Sequence, residues 1–88
     1  MEKIGLRVAE SFTVALNSLG SAGYRWSAAV DNPPIVTVER LETVQGLERF
    51  SLTGLAPGET VVHFTQARSF EPGKPPRSTH DVIVRVTN

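Results

Sequence analysis

Apolar and polar residues alternate along most of the chain with a period of two. Because consecutive strand residues face opposite sides of a sheet, each alternating run offers one apolar face to a core. The runs are Phe12, Val14 and Leu16; Val36 and Val38; Phe50 and Leu52; Val62 and Phe64; and Val82, Val84 and Val86. The pattern predicts strands near residues 3–8, 11–17, 24–30, 35–41, 48–54, 59–67 and 79–87, and no sustained helical period competes with it.

Glycine and proline separate these runs. They occur at Gly20 and Gly23, within 32–34, at Gly46, within 56–58 and within 72–76. Short strands at this spacing, with turn signals between them, predict an all-β fold, a small antiparallel sandwich. A chain of 88 residues is expected to form a single domain, residues 1–88.

Three predicted connections are longer than tight turns: 17–23, 42–48 and 68–78. They follow the second, fourth and sixth strands. Loops of a sandwich cluster at its two ends, and alternate connections emerge at the same end. We therefore predict that these three connections share one end and that the turn at 56–58 lies at the other.

Composition excludes several function classes. The chain has no cysteine, which excludes disulfides, thiolate zinc sites and a cysteine nucleophile. Nine basic and nine acidic residues cancel, so charge gives no reason to propose nucleic acid or a membrane as a partner. The first residues lack the apolar core of a signal peptide. We expect a cytoplasmic location if Met1 is native, and a periplasmic or secreted one if a signal peptide was removed.

The polar residues do not form a recognisable catalytic or metal site. His80 and Asp81 are neighbours on a predicted strand, so they point to opposite faces and Asp81 cannot orient His80. No ligand spacing links His63 with His80, and we interpret both as surface positions. Residues 72–77 match the P-x-x-P-x-R pattern of polyproline ligands, but so short a match indicates a stiffened loop. We predict no enzyme activity, no cofactor and no bound metal.

Aromatic residues and an arginine flank the first and third long connections. Tyr24 and Trp26 are two residues apart, so they share one strand face, and we expect Trp26 to pack in the core. Arg68 and Phe70 lie at the beginning of the third connection. Arginine and aromatic residues are common in the energetic centres of interfaces, which makes this end of the sandwich the candidate binding surface.

These residues resemble the chagasin-type inhibitors of papain-like cysteine peptidases. That family has a first-loop motif N-P-[ST]-T-G-[YF]-x-W, a Gly-rich second loop and a third loop with R-P-W. Gly23, Tyr24 and Trp26 match the first motif, and Leu16 takes its preceding apolar position. The stretch Leu19-Gly20-Ser21-Ala22 stands where N-P-[ST]-T stands, Gly46 ahead of Phe50 resembles the second loop, residues 55–60 resemble the L-x-P-G-x-[ST] turn, and Arg68-Ser69-Phe70 stands for R-P-W.

The resemblance implies an immunoglobulin-like β-sandwich or barrel of about seven strands whose loops 19–23, 46–49 and 68–71 occlude a peptidase cleft reversibly. It implies a papain-like cysteine peptidase as the partner and a monomeric inhibitor, with no nucleic acid, membrane or cofactor involved. The implied contact residues are Leu19, Gly20, Ser21, Ala22, Gly23, Tyr24, Gly46, Leu47, Arg68, Ser69 and Phe70.

At two positions this sequence differs from the family motifs, and both differences predict weaker binding to the peptidase. Gly20 replaces a proline that would stiffen the first loop, and Phe70 replaces a larger tryptophan. Each change is expected to cost on the order of 1 kcal/mol, and with the altered polar residues the loss amounts to roughly one to three decades of affinity. The same sandwich with altered loops is also compatible with a non-inhibitory binding or adhesion module.

Overall fold

The computed structural model describes residues 2–18, 23–68 and 76–88. All seven predicted strands are confirmed, and each boundary lies within one residue of its predicted position. The strands are β1 Glu2–Arg7, β2 Ser11–Asn17, β3 Tyr24–Val30, β4 Val36–Arg40, β5 Leu47–Gly54, β6 Gly58–Arg68 and β7 Ser78–Thr87. No helix long and apolar enough to cross a membrane occurs in these ranges.

The strands form two sheets that pack face to face. The larger sheet has the order β1-β7-β6-β3, and the smaller one has the order β2-β5-β4. The β1–β7 pair is parallel, which departs from the antiparallel pairing that we predicted throughout. The reason is the up-and-down course of the chain: β1 and β7 are both odd-numbered strands and run in the same direction. The other pairs are antiparallel.

The inward faces of both sheets form one apolar core. The Phe50 and Phe64 rings, one from each sheet, lie 5.1 Å apart between centroids and join the two layers. Burying one side chain of this kind contributes about 1.5–3 kcal/mol. The buried apolar residues are Leu6, Val14, Trp26, Val36, Phe50, Leu52, Val62, Phe64, Val82, Val84 and Val86.

Phe12 was predicted to face the core with Val14, and it lies on that face but is less covered than Val14. Its side chain is 39% exposed, whereas Val14 is buried. Phe12 lies near the beginning of β2, which is an edge strand of the smaller sheet, and pairs in register with the buried Leu52. The alternating pattern identifies the face of a strand but not how much of that face the opposite sheet covers.

The strand registers bring the flanks of the three long connections to one end, as predicted. Asn17 at the end of β2 pairs with Leu47 at the beginning of β5. Tyr24 at the beginning of β3 pairs with Arg68 at the end of β6. The short turn after β5 lies at the opposite end, where Leu55 donates a backbone hydrogen bond to Ile35.

Candidate functional site

The backbone on the two sides of the first connection is defined by a hydrogen bond at Ser18 and by a positive φ at Gly23. The Ser18 amide donates to the Gly46 carbonyl at 2.8 Å, which joins the end of β2 to the second connection. On the other side, Gly23 has a φ of +86° and leads directly into β3. Only glycine adopts such a φ without steric cost, so Gly23 sets the direction in which the chain enters the strand.

Trp26 is both a core residue and a tether. Its side chain is 6% exposed, as expected for core packing. Its indole Nε1 donates to the carbonyl oxygen of Asn17 at 2.8 Å, and Gln66 Nε2 donates to the same oxygen at 3.3 Å. The last residue of β2 is therefore bound to the larger sheet by two side chains. Trp26 and Gln66 thus hold together the strand ends on the two sides of the first connection. We call these strand ends the stem, and we call it closed because hydrogen bonds join its two sides.

A buried carboxylate lies directly beneath this stem. Glu48 is 1% exposed, and its Oε1 accepts hydrogen bonds from Arg40 Nη1 at 3.0 Å, the Trp26 amide at 3.2 Å and Arg25 Nε at 3.4 Å. Arg40 Nη2 also donates to the Trp26 carbonyl oxygen. β3 is an edge strand, so its outward-facing backbone groups have no neighbouring strand to pair with. At Trp26, the side chains of Glu48 and Arg40 provide the hydrogen-bond partners that a neighbouring strand would otherwise supply.

Sequence reasoning gave no role to this group of residues. Glu48 was placed in the second loop, and neither Arg40 nor Gln66 was singled out. A signal was present, because Glu48 is two residues before Phe50 and therefore has the inward phase of β5. A charged residue at an inward position needs charged or hydrogen-bonding partners.

The third connection is flanked by a pair of arginines that pack on Tyr24. The Arg68 guanidinium lies 4.4 Å from the centre of the Tyr24 ring, and that of Arg77 lies 5.5 Å from it. The Arg77 amide also donates to the Gln66 carbonyl oxygen at 2.7 Å. Contacts between guanidinium and an aromatic ring contribute about 0.5–1 kcal/mol each at exposed sites. The two sides of the third connection are thus attached to the base of the first.

The second connection ends in a tight hairpin. Gln45 and Gly46 have φ values of +51° and +77°, and Val44 and Leu47 exchange both backbone hydrogen bonds at 3.0 and 2.9 Å. Positive φ at both central residues is typical of a type I′ turn. β5 therefore begins at Leu47, and of the predicted loop 46–49 only Gly46 lies outside a strand. Val44, which the sequence analysis did not select, is 42% exposed beside the turn.

The structure describes five of the predicted contact residues and brings them to the same end. They are Gly23, Tyr24, Gly46, Leu47 and Arg68. The predicted contacts Leu19, Gly20, Ser21, Ala22, Ser69 and Phe70 lie outside the described residues, as does most of the proline-rich stretch 72–77.

Comparison with known proteins identifies the family. The model of the chagasin family peptidase inhibitor I42 matches residues 5–84. The chain belongs to the chagasin family. Proteins of this family are peptidase inhibitors and not enzymes, in agreement with the prediction from the sequence. No curated protein is significantly similar to the chain in sequence.

Solved structures share the chagasin-family fold of this chain. The cysteine protease inhibitor EhICP2 from Entamoeba histolytica superposes with a TM-score of 0.85 at 17% identity, over 97% of this chain and 85% of that one. Amebosin gives a TM-score of 0.69 at 20% identity, over 97% and 88% of the two chains. Domains 4 and 5 of the S-layer protein SbsC give 0.72 at 13% identity, over 100% of this chain and 49% of that one. At these identities the likeness shows the fold alone.

The two histidines of this chagasin-family chain lie on opposite faces of the larger sheet. His80 pairs in register with the buried Phe64 and shares its face, with Nε2 at 3.2 Å from Glu2 Oε1. His63 is on the outer face, with Nδ1 at 2.8 Å from Asp81 Oδ1 and Nε2 at 3.0 Å from Asp31 Oδ1. Asp81 therefore orients His63 and not His80. The histidines form no joint site.

The stability of the fold should depend on pH through His63. Hydrogen bonds to Asp31 and then to Asp81 raise the pKa of His63 above its ordinary value of 6.5. Because the pKa of His63 is higher in the folded state than in the unfolded state, protonation of His63 stabilises the fold. This contribution to the free energy of unfolding is fully present below pH 6.5 and is lost as the pH rises through the folded-state pKa. We expect the difference in unfolding temperature between the wild type and His63→Gln to shrink from about pH 6 to about pH 8. A difference that stays constant or grows would contradict this, and His80→Gln serves as the control.

Proposed function

We propose that this protein is a reversible inhibitor of papain-like cysteine peptidases. It would occlude the active-site cleft with the segments 19–23, 46–49 and 68–71, and bind as a monomer. Membership of the chagasin family supports the inhibitory role, and the similarity in fold to a cysteine protease inhibitor supports the class of target.

The observation that carries the proposal is the closed stem of the first connection. Asn17 is bound by Trp26 and Gln66, Ser18 is bound by Gly46, and Tyr24 pairs with Arg68. A segment whose ends are fixed loses less conformational entropy when it enters a cleft, so more of the contact energy appears as affinity. The stem thus fixes the two ends of the proposed binding segment before the partner arrives.

The residues at this end are consistent with inhibition that involves no covalent reaction. The described side chains around the stem include arginines, amides, aromatic groups and the buried Glu48 carboxylate, and the cysteine-free chain offers no thiol for exchange with a catalytic cysteine. The proposed block is therefore steric and reversible. It would follow ordinary binding equilibrium, with residual activity falling as inhibitor concentration rises.

The direct test is residual activity of papain and cathepsin-type peptidases against rising inhibitor concentration. We expect complete inhibition that reverses on dilution, with the inhibitor recovered uncut. Absence of inhibition at high micromolar concentration across such a panel would remove the proposal. A non-inhibitory binding or adhesion module would then be the better description of the same sandwich.

Gly23→Val should abolish inhibition while the domain stays folded. Valine is β-branched and is strongly disfavoured at the φ of +86° that Gly23 adopts, so the chain must enter β3 from another direction. Strain at one such residue costs about 1–3 kcal/mol, which is less than the stability expected of a domain of this size. We expect at least a hundredfold rise in the inhibition constant, which corresponds to about 2.7 kcal/mol.

Gly5→Val is the matched control for this variant. Gly5 lies in β1, at the opposite edge of the larger sheet, and a Cβ atom there would meet nothing within 4 Å. The control should retain full inhibition. Equal inhibition constants for the two variants, with both folded, would mean that the entry of the chain into β3 does not matter for binding.

A further inference from the structure

The surface around the first residues of β3 is positively charged, although the chain as a whole is neutral. Four arginines form this basic patch: Arg25, Arg40, Arg68 and Arg77. The Arg25 and Arg40 side chains are 61% and 40% exposed, whereas the carboxylate that both contact, Glu48, is 1% exposed. A partner that approaches this side therefore meets guanidinium groups and not the buried carboxylate.

The opposite charge lies elsewhere on the molecule. Near the hairpin of the second connection, the exposed side chains of Glu39 and Glu42 accompany Arg49. Outside the patch and this hairpin, the described part of the chain carries more acidic than basic residues. The acidic ones are Glu2, Glu10, Asp31, Glu59 and Asp81, and the basic ones are Lys3, Arg7 and Arg85. Among the described residues, the four patch arginines and Glu48 together carry a net charge of +3, and the other acidic and basic residues together carry −3.

The basic patch adjoins the closed stem that the proposed function uses. Arg68 and Arg77 pack on Tyr24, the first residue of β3, and Arg25 follows Tyr24 in the chain. Gathering like charges in one place raises the energy of the free protein, and a partner of opposite charge relieves that repulsion. Charges at the rim of an interface act mainly on the rate of association and on its salt dependence.

We propose that the basic patch directs this inhibitor to cysteine peptidases that carry acidic residues beside the cleft, on the side that the first and third connections cover. This rests on the proposed inhibitory function and adds to it the charge of the target. The partner is recognised by carboxylates placed around the cleft, and the guanidinium groups of Arg25 and Arg77 face them in the complex.

The test uses one papain-like peptidase with acidic residues beside its cleft and a variant in which those residues are replaced by amides. Association rates are measured from the onset of inhibition at ionic strengths of about 0.01 and 1 M, where the screening length is about 30 and 3 Å. For the acidic enzyme we expect association to be at least about tenfold faster at low ionic strength. Arg25→Gln combined with Arg77→Gln should remove most of that gain in association rate.

Lys3→Gln combined with Arg7→Gln is the matched control, because it removes the same charge from exposed positions of β1 at the opposite edge of the sheet. It should associate like the wild type, and unfolding temperatures establish that both double variants are folded. Equal association rates for the two double variants, or tight inhibition of both enzymes at a rate insensitive to salt, would overturn this inference alone. No inhibition of either enzyme at any ionic strength would remove the proposed function and this inference with it.

Discussion

Replacing Trp26 with alanine should lower the free energy of unfolding by about 3–5 kcal/mol, the range observed when a buried tryptophan or phenylalanine is truncated. The side chain is 6% exposed and packs between the sheets, so its removal leaves a cavity that neighbouring residues cannot fill. A domain of this size is expected to be stable by about 5–13 kcal/mol, so the loss is a large share of the total. Urea denaturation measures it from the shift in the midpoint.

Trp26→Phe separates the two roles of this residue. Phenylalanine keeps most of the apolar volume but has no N–H group to donate to the Asn17 carbonyl oxygen. That oxygen still accepts a hydrogen bond from Gln66, so losing one of its two donors should cost about 0.5–1.5 kcal/mol. We therefore expect a much smaller loss of stability than for alanine. Equal losses in the two variants, or a loss below about 1 kcal/mol for alanine, would contradict the packing role assigned here.

Arg40→Met should lower the free energy of unfolding by about 3 kcal/mol, because it leaves the Glu48 carboxylate buried without its nearest guanidinium. Removing one partner of a buried ion pair costs about 3–5 kcal/mol, and the lower value applies because Arg25 still reaches Glu48 at 3.4 Å. Among the described residues, Glu48 Oε2 accepts no hydrogen bond, so the carboxylate depends on the donors to Oε1. Methionine retains much of the contact that Arg40 makes over the Phe50 ring.

The double variant Arg40→Met with Glu48→Gln tests whether the uncompensated charge is the cause. Glutamine occupies the same space without charge, and its side-chain oxygen still accepts the hydrogen bond from the Trp26 amide. The double variant should therefore be more stable than Arg40→Met alone. Its loss of stability should also be smaller than the sum of the losses measured for Arg40→Met and Glu48→Gln separately, and that difference is the coupling between the two sites. If the two substitutions were additive, Arg40 would stabilise the protein through packing and not through Glu48.

The stem connects these stability predictions to function. Trp26, Arg40 and Glu48 all act on the residues that precede or follow the first connection. A partner that needs this connection in a fixed position would lose affinity when the stem loosens, even where the variant remains folded. Inhibition constants measured on Trp26→Phe and Arg40→Met, well below their unfolding temperatures, would show how much of the affinity depends on a fixed stem.

Alternating runs in the sequence predicted five of the seven strands directly. Runs such as Phe50 and Leu52 have one apolar face because the backbone itself makes alternate residues face opposite sides. The order of the connections then followed from counting strands, which placed the three long ones at one end. The motif around Gly23, Tyr24 and Trp26 identified the family, and the family model spans residues 5–84.

The sequence pattern was insufficient for features that depend on contacts with other strands. Phe12 has the same phase as Val14 but remains 39% exposed, because exposure depends on what the opposite sheet covers. The second connection spans residues 41–46, close to its predicted bounds, but the pattern did not identify the two-residue turn at Gln45 and Gly46 that leads into β5. Gln-Gly is a weaker signal for that turn than Asn-Gly or Asp-Gly, so the flanking residues were assigned to a loop.

The sequence by itself determined the all-β fold, the strand boundaries, the family and the end of the sandwich that carries the long connections. These depend on backbone geometry and on residues close together in the chain. Only the tertiary structure decided that Glu48 is buried beneath Trp26, that Arg40 covers the edge of β3, and that Arg68 and Arg77 pack on Tyr24. Those contacts join residues from different strands and both sheets, and their energies depend on distance and burial, which a linear pattern does not contain.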